Sequence, residues 1–308
     1  MHSESSLPRI GLALGSGASR GWSHIGVIKA LLAEGVEPDV VCGTSVGALI
    51  GAAYVAGNLE KLENWVLDST RSDVLRFLDI NLSQSGFVDT ARLNSFLHSY
   101  VATEILRIED MPKTYAAVST NLETGREVWF TQGGLVDAVR ASMAMPGLFP
   151  AVRVDQRWLV DGGLVNPVPV SVCRALGADI VIAVNLNAGI VGRRNNDRQE
   201  AASLEDNGIL GNIKQQAKEY SMSIFPNRDN KNEAPGLLQA IANSINIFQD
   251  TITRSRLAGD PADLLLSPKV SHIGMLEFHR ASEAIEEGER CVRSALADVH
   301  ALTRKRPT

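Results

Sequence analysis

The stretch VVCGTSVGALIGAAYVAG, residues 40–57, contains no charged side chain, so it must lie either in a membrane or inside a folded core. A membrane-spanning helix needs about 20 predominantly apolar residues. The glycines, Thr44 and Ser45 lower the hydrophobicity of this stretch. Its β-branched start follows the turn residues EPD, which is typical of a strand. The stretch therefore predicts a buried strand followed by a buried helix.

The first sixty residues alternate between strand and helix patterns. RIGLALG is an apolar strand, and WSHIGVIKALLAEG repeats apolar residues at a helical period before it ends at Gly35. DVVCGTS and VGALIGAAYVAG repeat the same order. Such alternation is typical of a parallel sheet with helices on both faces. We therefore predict an α/β protein with a three-layer α/β/α fold and a mostly parallel central sheet.

The whole sequence is consistent with one domain of three parts. Residues 8–188 continue the strand and helix patterns and are expected to form the core that carries the site. Residues 189–236 are polar and aperiodic, which predicts a mobile insertion. Residues 237–302 have the patterns of a helix, a strand and a helix, and are expected to complete the same domain. One apolar helical stripe in this last part is compatible with either a core position or an interface. It consists of Leu238, Ile241, Ile245, Phe248 and Ile252.

Composition argues against a nucleic-acid partner and favours one cellular compartment. The chain has 30 basic and 35 acidic residues and a net charge of −5, without the basic excess of a nucleic-acid-binding protein. Cys42, Cys173 and Cys291 lie far apart among apolar neighbours, which is typical of reduced thiols in a cytosolic protein. The first ten residues show no secretory signal. We therefore expect a cytoplasmic protein.

The junction GTSVG, between a predicted strand and a predicted helix, fits the pattern G-x-S-x-G with Ser45 at its centre. A residue at the apex of a sharp strand-to-helix turn has a strained backbone, and its side chain stands clear of both elements. Gly43 and Gly47 are small, so that strand and helix can approach each other, and Thr44 and Val46 complete the turn. We interpret Ser45 as a nucleophile at a helix N-terminus, where free N–H groups stabilise a developing anion.

A serine nucleophile needs a base, and the sequence leaves two choices. Asp161 stands at the end of a predicted strand in WLVDGGLVNP, where Gly162 and Gly163 leave room around the carboxylate. A Ser-His-Asp order that combines Asp161 with His272 or His279 also fits the sequence.

A glycine-rich segment, LGSGASRGWSHIG, joins the first strand to the first helix. Free backbone N–H groups in such a segment can hold either the pyrophosphate of a dinucleotide or the oxyanion of an acyl-transfer intermediate. A dinucleotide site wants an acidic residue at the end of the second strand, whereas this strand ends in CGTS. We therefore favour an oxyanion hole formed within the following loop residues: Gly15, Ser16, Gly17, Ala18, Ser19, Arg20 and Gly21.

Together, the glycine loop, the G-x-S-x-G turn and the D-G-G motif resemble the patatin-like phospholipase family, in particular its bacterial branch related to neuropathy target esterase. The glycine loop of that family reads G-G-G-x-[KR]-G. Gly17, Arg20 and Gly21 match it, while Ser16 and Ala18 stand where glycine is common.

The resemblance spans residues 10–187 and implies a patatin-like fold and a serine lipid acyl hydrolase. Ser45 would be the nucleophile and Asp161 its base, in a dyad without histidine, and backbone N–H groups near Gly17 and Ala18 would hold the oxyanion. No cofactor is implied, and we find no metal-ligand spacing of His, Cys or carboxylate residues. The implied substrate is a glycerophospholipid, a lysophospholipid or another lipid ester, with peripheral contact to a membrane.

Several alternatives stay open at this point. Arg20 is compatible with binding a phosphate head group or with pairing to a carboxylate. SMAMPGLFP, residues 142–150, is compatible with acyl-chain contact or with ordinary core, and residues 190–235 with an interfacial lid or a plain loop. A catalytically inactive regulatory or scaffold protein on the same fold is the main rival function.

Overall fold

The computed structural model describes residues 8–70, 90–190 and 237–303. The strands of this part of the chain form one sheet of eight strands. They are β1 (Ile10–Leu14), β2 (Val40–Thr44), β3 (Thr114–Asn121), β4 (Glu127–Phe130), β5 (Val152–Val154), β6 (Arg157–Asp161), β7 (Ile180–Val184) and β8 (Leu264–Leu266). Each strand in the series β5-β6-β3-β2-β1-β7-β8 is hydrogen-bonded to the next, and β4 also pairs with β3.

The centre of the sheet is parallel, and its antiparallel strands lie beyond that centre. β1 pairs in parallel with β2 and β7, β2 pairs in parallel with β3, and β7 with β8. β4 and β6 pair antiparallel to β3, and β5 pairs antiparallel to β6. Two antiparallel pairs of consecutive strands, β3 with β4 and β5 with β6, therefore flank the parallel centre.

Helices surround this sheet in the described ranges. They are α1 (Ser23–Ala33), α2 (Val46–Val55), α3 (Leu59–Asp68), α4 (Thr90–Tyr100), α5 (Leu135–Ser142), α6 (Val170–Ala175), α7 (Leu237–Gly259), α8 (Ala281–Ser294) and α9 (Leu296–Thr303). Short 3-10 turns lie at Ala18–Trp22, Ile108–Asp110, Gly162–Leu164 and Phe278–Arg280.

Hydrophobic cores lie on both faces of the sheet. In β1, Leu12 and Leu14 belong to the larger core, with α1 and α2, whereas Ala13 belongs to a second core with Val172 and Cys173 of α6. Successive residues of a strand point to opposite faces, so a strand covered on both sides reads as an unbroken apolar run. The predicted three-layer α/β/α fold is confirmed.

Helices α1 and α8 approach each other closely at two glycines. A Cβ atom at Gly26 would lie 2.0 Å from the carbonyl oxygen of Ile285, and one at Gly288 would lie 2.0 Å from the carbonyl oxygen of Ser23. Only glycine permits such contact between helix backbones. This contact packs the C-terminal part of the chain against the first helix.

Helix α7 does not bury the stripe that hydrophobic periodicity indicates. Phe248 is 58% exposed and Ile241 is 37% exposed, whereas Ile245 is buried. Gln249 and Thr253, by contrast, are almost completely buried. The stripe is therefore not core as a whole, because α7 packs a polar face against a polar region of the molecule.

The predicted polar insertion and the uncharged stretch 40–57 differ in how far the structure describes them. Residues 191–236 of the predicted insertion lie outside the described residues, as does its SMSIFP segment at 221–226. Within the described ranges, no helix combines the length and the hydrophobicity that crossing a bilayer requires. The uncharged stretch 40–57 forms β2 and the ten-residue helix α2, as the sequence predicts.

Candidate active site

Ser45 occupies a sharp turn between β2 and α2. Its backbone angles are φ 57° and ψ −123°, a combination that costs free energy for a residue with a Cβ atom. A Cβ at Gly43 would lie 2.4 Å from the nitrogen of Ala48, and one at Gly47 would lie 2.1 Å from the carbonyl oxygen of Leu14. Glycine at both positions therefore permits the close approach of strand and helix that the G-x-S-x-G pattern predicts.

The strained turn is held by a residue that the sequence analysis did not single out. The backbone N–H of Ser45 donates to Oγ of Ser142 at 2.9 Å, and that hydroxyl donates to the carbonyl oxygen of Val118 at 2.6 Å. Thr44, the last residue of β2, donates from Oγ1 to the carbonyl oxygen of Asn166 at 2.8 Å. These bonds tie the turn to the end of α5, to β3 and to the chain after β6.

Strands β2 and β6 bring Ser45 and Asp161 together because they point at each other along the same side of β3. Thr44 of β2 lies opposite Val118 in a parallel pair, and Asp161 of β6 lies opposite the next residue, Ser119, in an antiparallel pair. β4 occupies the other side of β3 at these positions. The two strand ends therefore meet at neighbouring positions of one strand.

Ser45 and Asp161 are hydrogen-bonded. Oγ of Ser45 donates to Oδ2 of Asp161 at 2.5 Å, and the backbone N–H of Gly163 donates to Oδ1 of Asp161 at 2.7 Å. Both side chains are buried, with exposures of 5% and 1%. A Cβ at Gly162 would lie 2.1 Å from the carbonyl oxygen of Val118, which explains the first glycine of the D-G-G motif.

Burial changes the basicity of the carboxylate. Loss of hydration raises the pKa of Asp161 from 3.8 to about 6, although the hydrogen bonds from Ser45 and Gly163 lower it in part. Asp161 is therefore mostly ionised at pH 7 and is a stronger base than an exposed carboxylate. A pKa near the working pH is what a general base requires.

The glycine loop connects β1 to α1, and several of its backbone groups are already engaged. The N–H of Ser16 donates to the carbonyl oxygen of Pro167 at 2.8 Å, and the N–H of Ser19 donates to that of Met275 at 3.3 Å. Between them, the N–H groups of Gly17 and Ala18 donate to no described residue. Ala18 has a positive φ of 50°. These two amides are therefore unengaged within the part of the chain that the structure describes, and Ala18 lies with Ser45 in the wall of one pocket.

Close packing accounts for the other glycines of this loop. A Cβ at Gly15 would lie 2.6 Å from the carbonyl oxygen of Val184, and one at Gly21 would lie 2.2 Å from the side chain of Val46. Val46 follows Ser45, so Gly21 lets the loop lie directly against the start of α2.

Arg20 is buried beneath the glycine loop. Its Nε donates to the carbonyl oxygen of Gly17 at 3.1 Å, and its Nη2 donates to Oδ1 of Asn246 at 2.8 Å. Burial lowers the pKa of Arg20 to about 10. Arg20 makes no ion pair with a carboxylate in the part of the chain that the structure describes. Its contacts to the loop backbone and to Asn246 help fix the shape of the loop.

The histidines considered for a triad have other surroundings. Nε2 of His272 lies 2.5 Å from Oε1 of Glu283, in a partly exposed pair. His279 belongs to the short turn Phe278–Arg280. Since Oγ of Ser45 donates to a carboxylate instead of a histidine, the Ser-His-Asp alternative gains no support from the geometry.

An apolar pocket opens beside Ser45. Its walls are apolar except for Ser45 and Ser69. Leu148 and Phe149 of the SMAMPGLFP segment line it, so this segment contributes to the pocket as well as to the core. Helices α3 and α4 supply Trp65 and Phe96, whose ring centroids lie 4.6 Å apart.

The two aromatic residues were not predicted as site residues. Their sequence signal is only that of amphipathic helices, which does not distinguish a pocket wall from ordinary core. In the described ranges, no group of three His, Cys, Asp or Glu side chains is arranged to hold a metal ion.

Comparison with known proteins places this geometry in context. A family model described as patatin-like phospholipase matches residues 12–174. An uncharacterized NTE family protein of Mycobacterium bovis is 34% identical over 95% of this chain and 92% of its own length. A protein of Pyricularia oryzae named lysophospholipase NTE1 is 28% identical over 91% of this chain, which corresponds to 18% of that protein. Among solved structures, VipD from Legionella pneumophila covers 99% of this chain and 83% of its own at 15% identity, with a TM-score of 0.39.

Proposed function

Since the chain belongs to the patatin-like phospholipase family, we propose that it is a serine lipid acyl hydrolase with Ser45 as nucleophile and Asp161 as base. The observation that carries the proposal is the 2.5 Å hydrogen bond from Oγ of Ser45 to Oδ2 of Asp161. An alcohol oxygen bonded to a buried carboxylate, at a turn that exposes it to an apolar pocket, is the arrangement that acyl transfer requires.

In the proposed first step, Asp161 accepts the proton of the Ser45 hydroxyl while Oγ attacks the ester carbonyl carbon. The carbonyl oxygen becomes an oxyanion, to which the free amides of Gly17 and Ala18 donate. Collapse of this intermediate breaks the bond to the alcohol, which takes the proton from Asp161. The acyl group is then held as an ester on Ser45.

In the second step, water is the nucleophile and Ser45 is the leaving group. Asp161 accepts a proton from water, whose oxygen attacks the acyl carbon, and the proton passes back to Oγ of Ser45 as the fatty acid leaves. Each oxyanion donor is worth about 3 kcal/mol to such a transition state. A carboxylate with a pKa of about 6 is a weaker base than histidine only by a small margin, so a dyad without histidine is chemically sufficient.

The pocket supports a lipid substrate. Ligand pockets with few polar groups suit apolar ligands, and the space beside Ser45 is lined almost entirely by aromatic and aliphatic side chains. We propose an acyl chain of a glycerophospholipid or lysophospholipid as its occupant. Access to such a substrate implies peripheral contact with a membrane, and we propose a cytoplasmic location on that basis and on the three free cysteines.

The proposal is tested by incubating a bacterial lipid extract with the wild-type protein, with Ser45→Ala and with the exposed control Ser282→Ala. Mass spectrometry should detect free fatty acids and the matching deacylated lipids with the wild type and the control. Ser45→Ala should lose about a million-fold in rate, because removal of a nucleophile leaves only binding and the oxyanion donors. A fluorophosphonate probe should label the wild type and not the variant.

The same probe separates the rival functions. A folded wild-type protein that takes no label and releases no fatty acid would favour the inactive scaffold and contradict our proposal. Loss of activity in His272→Ala or His279→Ala, together with activity retained in Asp161→Asn, would favour the Ser-His-Asp triad.

A further inference from the structure

Helix α7 lies behind the glycine loop and presents polar side chains to it. Oδ1 of Asn246 accepts from Nη2 of Arg20 at 2.8 Å, and Oε1 of Gln249 accepts from Oγ of Ser16 at 3.0 Å. Residues three apart share one face of a helix. The two contacts therefore hold the loop at Ser16 and at Arg20, on either side of Gly17 and Ala18. The amides of Gly17 and Ala18 are unengaged among the described residues.

The contact between Ser16 and Gln249 belongs to a buried hydrogen-bonded triangle. Nδ2 of Asn187, which follows β7, donates to Oγ of Ser16 at 3.4 Å and to Oε1 of Gln249 at 3.3 Å. Ser16 and Asn187 are fully buried, and Gln249 is 2% exposed. Buried polar groups that lose a partner cannot recover it from water, so each member of the triangle restricts the other two.

Gln249 also reaches the turn that holds the base. A Cβ atom at Gly163 would lie 2.4 Å from Nε2 of Gln249, which shows that the side-chain amide rests on the Gly163 backbone. The N–H of Gly163 is the group that donates to Oδ1 of Asp161. One side chain therefore touches both the glycine loop and the turn that orients the carboxylate.

We propose that Gln249 is a positioning residue, which aligns the free amides of the glycine loop with the Ser45–Asp161 pair. The inference rests on the proposed function, because those amides matter only if an oxyanion forms. Hydrogen-bond donors stabilise an oxyanion well only when their direction is fixed before the charge develops. Gln249 supplies that fixation from α7, without lining the pocket itself.

The test is a double-mutant cycle with Gln249→Leu and Ser16→Ala, and with Gln132→Leu, an exposed glutamine, as the matched control. Hydrolysis of p-nitrophenyl butyrate is measured per active site, with the number of sites titrated by a fluorophosphonate. Each single variant should lower kcat about 10-fold and change KM less than about twofold, the signature of a contact that acts in the transition state. The double variant should be no slower than the slower single variant, because the two side chains act as one unit.

The titration separates positioning from stability. A purely structural role would reduce the number of titratable sites and the melting temperature while kcat per site stayed at the wild-type value. An unchanged kcat per site in either single variant, losses that multiply in the double variant, or an equal loss in Gln132→Leu would overturn the inference. If Gln249→Leu does not fold, kcat per site in Ser16→Ala decides by the same criterion. A wild-type protein that neither hydrolyses the ester nor reacts with the probe contradicts the proposed function itself, and the inference with it.

Discussion

Helices α2 and α7 both border the candidate site, but they bury opposite kinds of side chain. In α2, which begins directly after Ser45, every residue except Tyr54 is buried and all are apolar or glycine. In α7, Gln249, Asp250 and Thr253 are buried, whereas Phe248 is exposed. One helix is placed by apolar packing on the sheet, and the other by polar contacts to the glycine loop.

The difference shows what hydrophobic periodicity can and cannot reveal. An apolar stripe identifies the inward face when the neighbour is a hydrophobic core. When the neighbour is a set of buried polar groups, as at the candidate site, the inward face must supply hydrogen-bond partners, and the apolar residues lie on the other side. The stripe on α7 correctly predicts a helix, but it does not identify the buried face, because Ile241 and Phe248 are exposed.

Between α2 and α7, the largest difference in stability should come from replacing one glycine in each helix by alanine. In Gly47→Ala, the new Cβ would lie 2.1 Å from the carbonyl oxygen of Leu14, and the backbone must move to avoid it. We expect a loss of at least about 4 kcal/mol in the free energy of unfolding. Gly259→Ala, at the end of α7, meets no atom within 4 Å and should be neutral or stabilising by up to about 1 kcal/mol. Urea denaturation measures both, and a small loss in Gly47→Ala would show that α2 is not fixed against the sheet.

Truncation of one large apolar residue in each helix should differ almost as much. Leu49 of α2 is 1% exposed and Phe248 of α7 is 58% exposed. Leu49→Ala should cost about 3 kcal/mol in the free energy of unfolding, and Phe248→Ala less than about 0.5 kcal/mol. If urea denaturation showed similar losses in the free energy of unfolding for the two variants, the apolar stripe on α7 would have to be part of the core.

Among the buried polar groups of the site, Asp161 should make the stability of the protein depend on pH. The pKa of Asp161 is raised by burial from 3.8 to about 6, so the folded state binds this proton more tightly than the unfolded chain. The stabilisation from this proton is full below pH 3.8 and is lost as the pH rises through 6. At about 1.4 kcal/mol per unit, Asp161→Asn should be up to about 3 kcal/mol more stable than the wild type at pH 8, and nearly equal to it at pH 4.

Two measurements check this prediction. Denaturant unfolding at pH 4 and pH 8 gives the stability difference, and Leu49→Ala, which has no titrating group, serves as the control with a constant difference. In the wild type, kcat/KM should rise as the pH increases through about 6, because the proposed base must be ionised. A flat profile across this range would contradict the assignment of Asp161 as the titrating base.

Much of the fold could be predicted because its signals are local. The apolar runs of β1, β2 and β7 and the helical patterns between them are enough to indicate a covered parallel sheet. The turn at Ser45 is predictable for the same reason, since Gly43 and Gly47 flank it within five residues at the junction of a strand and a helix. The D-G-G motif marked Asp161 as a candidate base, and the resemblance to a known family linked it to Ser45.

The remaining parts of the site depend on contacts between distant residues. Ser142, Asn187 and Gln249 are single polar residues with no characteristic spacing, and their importance follows only from where the chain places them. Trp65 and Phe96 face each other across two helices, which no local pattern reveals. Ser16 departs from the family's glycine motif, and its reason becomes visible only when its partner, 233 residues away, is known.

The head-on meeting of β2 and β6 along β3 has a consequence for how the candidate site can change. In a loop, a functional atom can drift by fractions of an ångström as neighbouring residues are replaced. Here the two strand ends are held in register by hydrogen-bonded pairing with β3. A change of register by one residue shifts a side chain by about 3.4 Å and turns it to the opposite face. A slip of either strand by one residue would therefore separate the alcohol from the carboxylate, so their contact depends on the register of β2 and β6 on β3.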